Sequence, residues 1–121
     1  FVTLHIAATK QTEHLIGEKE LKMMKSSASL INLARGSVVD EQALIKALSS
    51  HQIANAALDV FDEEPLPDDS PLFKLDNVFL TPHTGSNTVE AGENMAMGAA
   101  RMIDEALSGQ KPEWAVNQPQ F

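Results

Sequence analysis

The 121-residue sequence contains no cysteine. A disulfide framework, a thiolate nucleophile and a thiolate zinc site are therefore excluded, so any chemistry must come from histidine, arginine and carboxylates. Basic residues are also scarce, since 9 Lys and Arg stand against 17 Asp and Glu and give a formal net charge of −8. Nucleic-acid binding depends on basic residues that release counterions, so this charge argues against a nucleic-acid partner.

Long apolar runs are absent too, as is a basic start followed by an apolar stretch, so the sequence predicts neither a membrane span nor a signal peptide. With 43% hydrophobic and 21% charged residues, it has an ordinary globular composition. We expect one compact unit in a soluble, cytoplasmic protein with no membrane partner. Residues 1–6 already have the pattern of a buried strand with no polar lead-in, so we expect further residues upstream of Phe1.

Several common site motifs are missing. The histidines are not at metal-ligand spacing, so no metal site is predicted. The sequence also lacks a G-x-S-x-G elbow and a phosphate-cradling P-loop, which argues against serine hydrolysis and phosphoryl transfer.

Short apolar runs alternate with segments of helix length. Strands are predicted over 1–6, 29–33, 53–60 and 78–81, and helices over 18–25, over 41–49 after an Asp40 N-cap, and over a long segment capped by Asn87 and Glu90. The proline-rich, acidic segment 62–76 predicts a surface connection. Such alternation is typical of an α/β fold, a parallel sheet with covering helices.

Polar residues follow the predicted strands. His5, Arg35, Asp59 and His83 come at or just after the carboxyl ends of successive strands. In open parallel sheets the ligand crevice lies beyond these ends. We therefore expect the four side chains to share one edge of the sheet.

Arg35 and His83 each have a functional and a structural interpretation. The Arg35 fork suits a substrate carboxylate, but it could equally pair with acidic neighbours. His83 is the best candidate for proton transfer because its ordinary pKa lies near neutrality. Glu64 could orient the imidazole by a hydrogen bond, or merely solvate its loop.

The other candidates are weaker. Asp59 could accept a hydrogen bond from a ligand amide or cap local backbone, and Gly85 could allow close approach of a ligand or simply make a turn. His5 and Thr12 could contact a cofactor or be ordinary loop residues.

Three motifs occur in order: residues 32–36 with 38–41, residues 57–65, and residues 80–85. Together they resemble the carboxyl-terminal half of a D-isomer-specific 2-hydroxyacid dehydrogenase, over nearly the whole chain. The resemblance implies a Rossmann-like fold, of which this chain is only the second half of the dinucleotide-binding domain. Residues 1–108 would belong to that domain, and residues 109–121 would form a tail that returns to a substrate domain.

The resemblance also implies an oxidoreductase that transfers a hydride between NAD or NADP and a small 2-oxo or 2-hydroxy acid. Arg35 would bind the substrate, His83 would exchange the proton, and Glu64 would raise the basicity of His83. The full-length protein would be a homodimer, and the fragment alone would be inactive. The implied cofactor-binding residues are His5, Ile6, Ala7, Thr12, Leu33, Ala34, Arg35, Asp59, His83 and Gly85.

Some positions depart from the family pattern. Ala8 stands where proline is common, and Leu33 where a smaller or β-branched residue is frequent. The glycine-rich phosphate turn and the residue that distinguishes NAD from NADP would lie upstream of Phe1. A second interpretation is a catalytically silent protein of the same fold that senses dinucleotide or binds partners.

Overall fold

The computed structural model describes residues 1–117. Four short strands alternate with helices along the chain. The strands are β1 (Val2–Leu4), β2 (Ser29–Asn32), β3 (Asn55–Leu58) and β4 (Val78–Leu80), and the α-helices are α1 (Glu18–Met23), α2 (Glu41–Ser49) and α3 (Val89–Leu107). Two 3₁₀ turns, Gly36–Val38 and Pro71–Lys74, complete the regular structure.

The four strands form one parallel sheet in the order β1-β2-β3-β4. Parallel neighbours need a crossover connection, and α1 and α2 occupy the first two of these. The predicted parallel sheet with covering helices is therefore confirmed.

The core lies between the sheet and these helices. Leu21 of α1 and Leu44 and Leu48 of α2 are almost fully buried, together with Leu30 of β2. Asp40 caps α2, since its Oδ1 accepts the Ala43 N–H at 2.9 Å, as the sequence predicts. The predicted bounds of α2 are also confirmed.

Other boundaries differ from the predictions. Each predicted strand is longer than the observed one, and α1 ends at Met23 because Met24 is already extended. The predicted N-cap Asn87 is wrong by one residue, because the Thr88 hydroxyl accepts the Ala91 N–H at 3.1 Å. Since several short polar residues precede α3, the sequence offers more than one capping choice.

Segment 62–76 is not only a surface connection. Ser70 is buried and its hydroxyl accepts the Leu72 N–H at 3.3 Å, which begins the turn Pro71–Lys74. Leu72 is fully buried in the core. Leu72 therefore fixes this largely exposed loop to the core.

The chain divides into two compact units, residues 1–85 and the segment from Ser86 onward. The expectation of a single compact unit is therefore wrong. The physical reason is that the core belongs to the first unit, whereas none of the 19 residues of α3 is buried. In the second unit Arg101 pairs with Glu105 and Glu113. The predicted domain boundary near residue 108 stays a prediction, and residues 118–121 of the predicted tail lie outside the described residues.

Within residues 1–117, no helix has both the length and the hydropathy that a membrane span requires.

Gly36 packs directly against the backbone of residues 61 and 62. A Cβ built at Gly36 would lie 1.9 Å from the Phe61 carbonyl oxygen and 2.6 Å from the Asp62 nitrogen. Both are backbone atoms, so neither can move aside cheaply. We predict that Gly36→Ala lowers the free energy of unfolding of the complete protein by about 2–3 kcal/mol, measured by chemical denaturation.

Gly92→Ala is the matched control. No atom lies within 4 Å of a Cβ at Gly92, which is in the interior of α3. Alanine favours a helix over glycine by about 0.5–1 kcal/mol, so this variant should be unchanged or slightly more stable. Equal stability of the two variants would contradict the packing argument.

Candidate active site

The register of the four strands aligns their carboxyl ends along one edge of the sheet. Leu4 pairs with Asn32, Asn32 with Leu58, and Leu58 with Leu80. The residues that follow these four therefore leave the sheet at the same level. The structure thus brings to one edge the four residues predicted to share it: His5, Arg35, Asp59 and His83.

Asn32 shapes the turn that carries Arg35. Its buried side chain accepts the Ala34 N–H at 3.0 Å and donates to the Arg35 carbonyl at 2.9 Å. The bare Cα of Gly36 then lets this turn pack directly on the backbone of Phe61. The sequence places Asn32 in a strand and in the motif 32–36 without predicting these bonds, although a polar side chain that ends an apolar run is a usable signal for them.

Arg35 is exposed at this edge. Its Nη1 donates to the Ala34 carbonyl at 2.7 Å. No carboxylate within residues 1–117 forms an ion pair with it. The alternative of an ordinary surface ion pair therefore finds no support in this part of the chain, and most of the guanidinium donors are available to a ligand.

Glu64 and His83 are in direct contact. Glu64 Oε2 lies 2.6 Å from His83 Nδ1, while Glu64 Oε1 accepts the Phe61 N–H at 3.0 Å. The side chains are 35% and 46% exposed respectively, so the pair is accessible from solvent. Because Nδ1 faces Glu64, Nε2 is the ring nitrogen left for proton exchange.

The pKa of the Glu64 carboxyl is lowered from its ordinary value. The hydrogen bond with His83 is the largest cause and the Phe61 N–H is the second, and these two outweigh burial, while the positive charge of Arg35 adds a smaller lowering. The carboxylate is therefore ionised at neutral pH. A charged acceptor on Nδ1 makes a strong hydrogen bond that fixes the ring orientation.

Asp59 is buried, with only 4% of its surface exposed. Its Oδ1 accepts the Thr81 hydroxyl at 2.5 Å and the Thr84 N–H at 2.8 Å, and its Oδ2 accepts the Gly85 N–H at 2.7 Å. Burial by itself raises the pKa of the Asp59 carboxyl, but these hydrogen bonds outweigh burial and the net shift is downward. Thr81, like Asn32, makes a side-chain hydrogen bond at this edge that the sequence does not predict.

Two cavities open at this edge. One, of about 480 Å³, is lined by His5, Ile6, Ala7, Ala8, Leu33, Ala34 and Arg35. The other, of about 570 Å³, has mostly apolar walls, including Phe61 and Phe73, and carries Glu64 and His83 on its lining. Arg35 and the Glu64–His83 pair thus lie beside separate open cavities.

Six of the ten residues predicted to bind the cofactor line the first cavity. A Cβ at Gly85 would lie 2.9 Å from Asp59 Oδ2 and 3.4 Å from Leu33 Cδ2, so only glycine allows this close approach.

Thr12 does not line this cavity itself but contacts one of its lining residues. Its hydroxyl donates to the Ala7 carbonyl at 2.8 Å and accepts the Thr9 N–H at 2.8 Å. These contacts close the loop that follows β1. The predicted cofactor contact of Thr12 stays a prediction, as do the roles of the other site residues.

Within residues 1–117, no group of three His, Asp or Glu side chains is arranged to bind a metal ion.

Residues 1–85 match the family model described as "D-isomer specific 2-hydroxyacid dehydrogenase, NAD binding domain". The chain is 53% identical over 117 residues to a glyoxylate reductase of Thermofilum pendens, covering 97% of this chain and 34% of that protein. It therefore spans about a third of the length of this curated relative.

Solved structures agree. The TT0316 protein of Thermus thermophilus superposes with a TM-score of 0.88 at 41% identity, covering 96% of this chain and 37% of that one. A D-lactate dehydrogenase of Lactobacillus jensenii, solved with NAD⁺, gives a TM-score of 0.82 at 34% identity, covering 96% and 39%. The predicted Rossmann-like fold, present here only in part, is confirmed. With its first 85 residues matched to the family's NAD-binding domain, the chain belongs to the D-isomer-specific 2-hydroxyacid dehydrogenase family.

Proposed function

We propose that this chain is the carboxyl-terminal part of an enzyme that transfers a hydride between NAD or NADP and a small 2-oxo or 2-hydroxy acid. The contact of Glu64 with His83, on the same sheet edge as Arg35, is the observation that carries the proposal. A carboxylate, an imidazole and an unpaired arginine are the groups needed to bind a 2-oxo acid and move one proton.

When bound, the reduced nicotinamide supplies the hydride that reaches the substrate's carbonyl carbon. Arg35 binds the substrate carboxylate through its planar fork. His83, protonated for reduction, donates its Nε2 proton to the carbonyl oxygen as negative charge develops there. Glu64 holds Nδ1 and stabilises the imidazolium before the transfer. In the oxidative direction the neutral imidazole accepts the hydroxyl proton.

We place the cofactor beside His5, Ile6, Ala7, Leu33 and Ala34, which line the smaller cavity. Arg35, Asp59, His83 and Gly85 would complete its nicotinamide end, with Thr12 near the loop after β1. Asp59 would hold the carboxamide.

Glyoxylate and hydroxypyruvate are the first substrates to test, since the Thermofilum pendens relative is a glyoxylate reductase. Mixing the complete protein with NADH or NADPH and a panel that adds pyruvate should show cofactor oxidation with one of these acids. Dinucleotide binding without oxidation of any would favour the alternative of a silent sensor. The same panel separates NAD from NADP use, and we expect no turnover by residues 1–121 alone.

For the complete protein we further propose a homodimer in the cytoplasm that acts on small molecules. The resemblance supports the dimer, and the net charge of −8 argues against a nucleic-acid partner. Light scattering of the complete protein would measure its oligomeric state.

The role of His83 can be tested with His83→Asn. Its backbone φ of 52° is left-handed, and asparagine tolerates that conformation while losing the imidazole. We predict that kcat falls by roughly 10²- to 10⁴-fold, while the dissociation constant for NADH changes little. His51→Asn, at a φ of 51° in the turn after α2, is the matched control and should retain full kcat. Normal turnover by His83→Asn would refute proton transfer by His83.

Arg35→Lys keeps the positive charge but loses the bidentate fork. We predict a KM for the 2-oxo acid raised by roughly tenfold or more, with NADH binding unchanged. Arg101→Lys, whose guanidinium pairs with Glu105 and Glu113, is the control and should behave like wild type. Wild-type substrate kinetics in Arg35→Lys would remove Arg35 from the substrate site.

Glu64→Gln tests the charge next to the imidazole. The lowered pKa of Glu64 means that wild type keeps this negative charge at neutral pH. Glutamine keeps the size of the side chain but replaces the charge-assisted hydrogen bond to Nδ1 with a weaker neutral one, so kcat should fall by roughly tenfold. Glu63→Gln, in the same loop, should leave kcat unchanged. Wild-type kcat in Glu64→Gln would contradict the role of the Glu64 charge in holding His83.

A further inference from the structure

The turn that carries His83 is held by one carboxylate. Asp59 accepts hydrogen bonds from Thr81, two residues before His83, and from Thr84 and Gly85, the two residues after it. All three donors belong to the segment 81–85, whereas Asp59 directly follows β3. The backbone on both sides of the histidine is therefore tied to the end of the neighbouring strand.

His83 needs such support. Its φ of 52° lies in the left-handed region, which is unfavourable for a residue with a side chain. It follows β4 and lies outside any helix, and its N–H donates only across the tight turn, to the Thr81 carbonyl at 3.1 Å. Strained backbone persists where its surroundings hold it, as the three hydrogen bonds to Asp59 do here.

The imidazole is held separately. Glu64 is hydrogen-bonded to Nδ1 and to the Phe61 N–H and not to the backbone of the turn, so by itself it fixes the direction of the ring and not the position of its Cα. Asp59 is hydrogen-bonded to the turn and not to the ring. The two carboxylates, both in the segment after β3, therefore constrain different parts of the same residue.

We propose that Asp59 and Thr81 are positioning residues for the proton transfer by His83: the buried carboxylate and the threonine hydroxyl fix the turn 81–85, and this places Nε2 where the substrate oxygen lies. The inference rests on the proposed function. It gives Thr81 a role, and it gives Asp59 a role besides the proposed contact with the cofactor.

Thr81 provides the cleaner test, because its side chain supplies one hydrogen bond to the turn's anchor and has no proposed contact with the cofactor. Thr81→Val removes the hydroxyl and keeps the shape, whereas Thr81→Ser keeps the hydroxyl. Asp59→Asn keeps the size of the side chain but replaces one acceptor oxygen with a donor, which then faces N–H or O–H donors of the turn. Asp40→Asn is the control, since its side chain caps α2 and asparagine caps equally well.

Three quantities are measured on the complete protein: kcat with the 2-oxo acid it reduces, the dissociation constant for NADH by fluorescence titration, and hydrogen exchange of the peptide that contains Thr84 and Gly85. We expect Thr81→Val to lower kcat roughly tenfold and Asp59→Asn roughly tenfold to a hundredfold. Exchange at Thr84 and Gly85 should accelerate in both variants, and the NADH dissociation constant of Thr81→Val should stay within about threefold. Thr81→Ser should restore kcat, and Asp40→Asn should match wild type.

Wild-type kcat and exchange in Thr81→Val would overturn the inference, and so would an Asp59→Asn protein that binds NADH weakly yet turns over normally at saturation. If Asp59→Asn does not fold, Thr81→Val and Thr81→Ser still decide the matter. If the complete protein reduces no 2-oxo acid, the proposed function fails, whereas the exchange of Thr84 and Gly85 still shows whether Asp59 and Thr81 hold the turn.

Discussion

Parallel pairing sets Leu4, Asn32, Leu58 and Leu80 side by side, so all four strands of the first unit end at one level. The residues of the candidate site all lie in the segments that follow these strand ends. Parallel strands expose their carboxyl ends along one edge, and the loops there need no regular hydrogen-bonding pattern of their own. A shift of one residue in any pair would turn the ladder's side chains to the opposite face and separate the groups that now meet.

The two carboxylates after β3 differ in burial, and this difference separates their tasks. Asp59 is 4% exposed and surrounded by N–H and O–H donors, so its charge is neutralised locally and serves to fix backbone. The side chain of Glu64 is 35% exposed and has an imidazole on one oxygen, so its charge acts on a group that can exchange protons. Gly36 also connects Arg35 with Glu64. The Arg35 turn packs at Gly36 against the Phe61 carbonyl, and the Phe61 N–H donates to Glu64.

The sequence predicted the parts of this structure that depend on local chemistry. Asp40 as the cap of α2 and the edge shared by His5, Arg35, Asp59 and His83 follow from capping and from strand alternation, and both are observed. Residues whose role depends on a distant partner were missed. Thr81 acquires its role only when β3 and β4 align and Asp59 comes within reach, 22 residues away in sequence. The burial of Leu72 likewise depends on how an acidic loop folds back onto the core.

Arg35 brings a positive charge to the edge of the sheet that also carries the carboxylates of Asp59 and Glu64. Arg35 has no carboxylate partner within residues 1–117, and its field contributes to the lowered pKa of Glu64. Under the proposed function, a substrate carboxylate bound at Arg35 offsets this positive charge. The part of the lowering of the Glu64 pKa that comes from Arg35 is then reduced. Substrate binding and the charge state of Glu64 are in this way coupled through a single guanidinium.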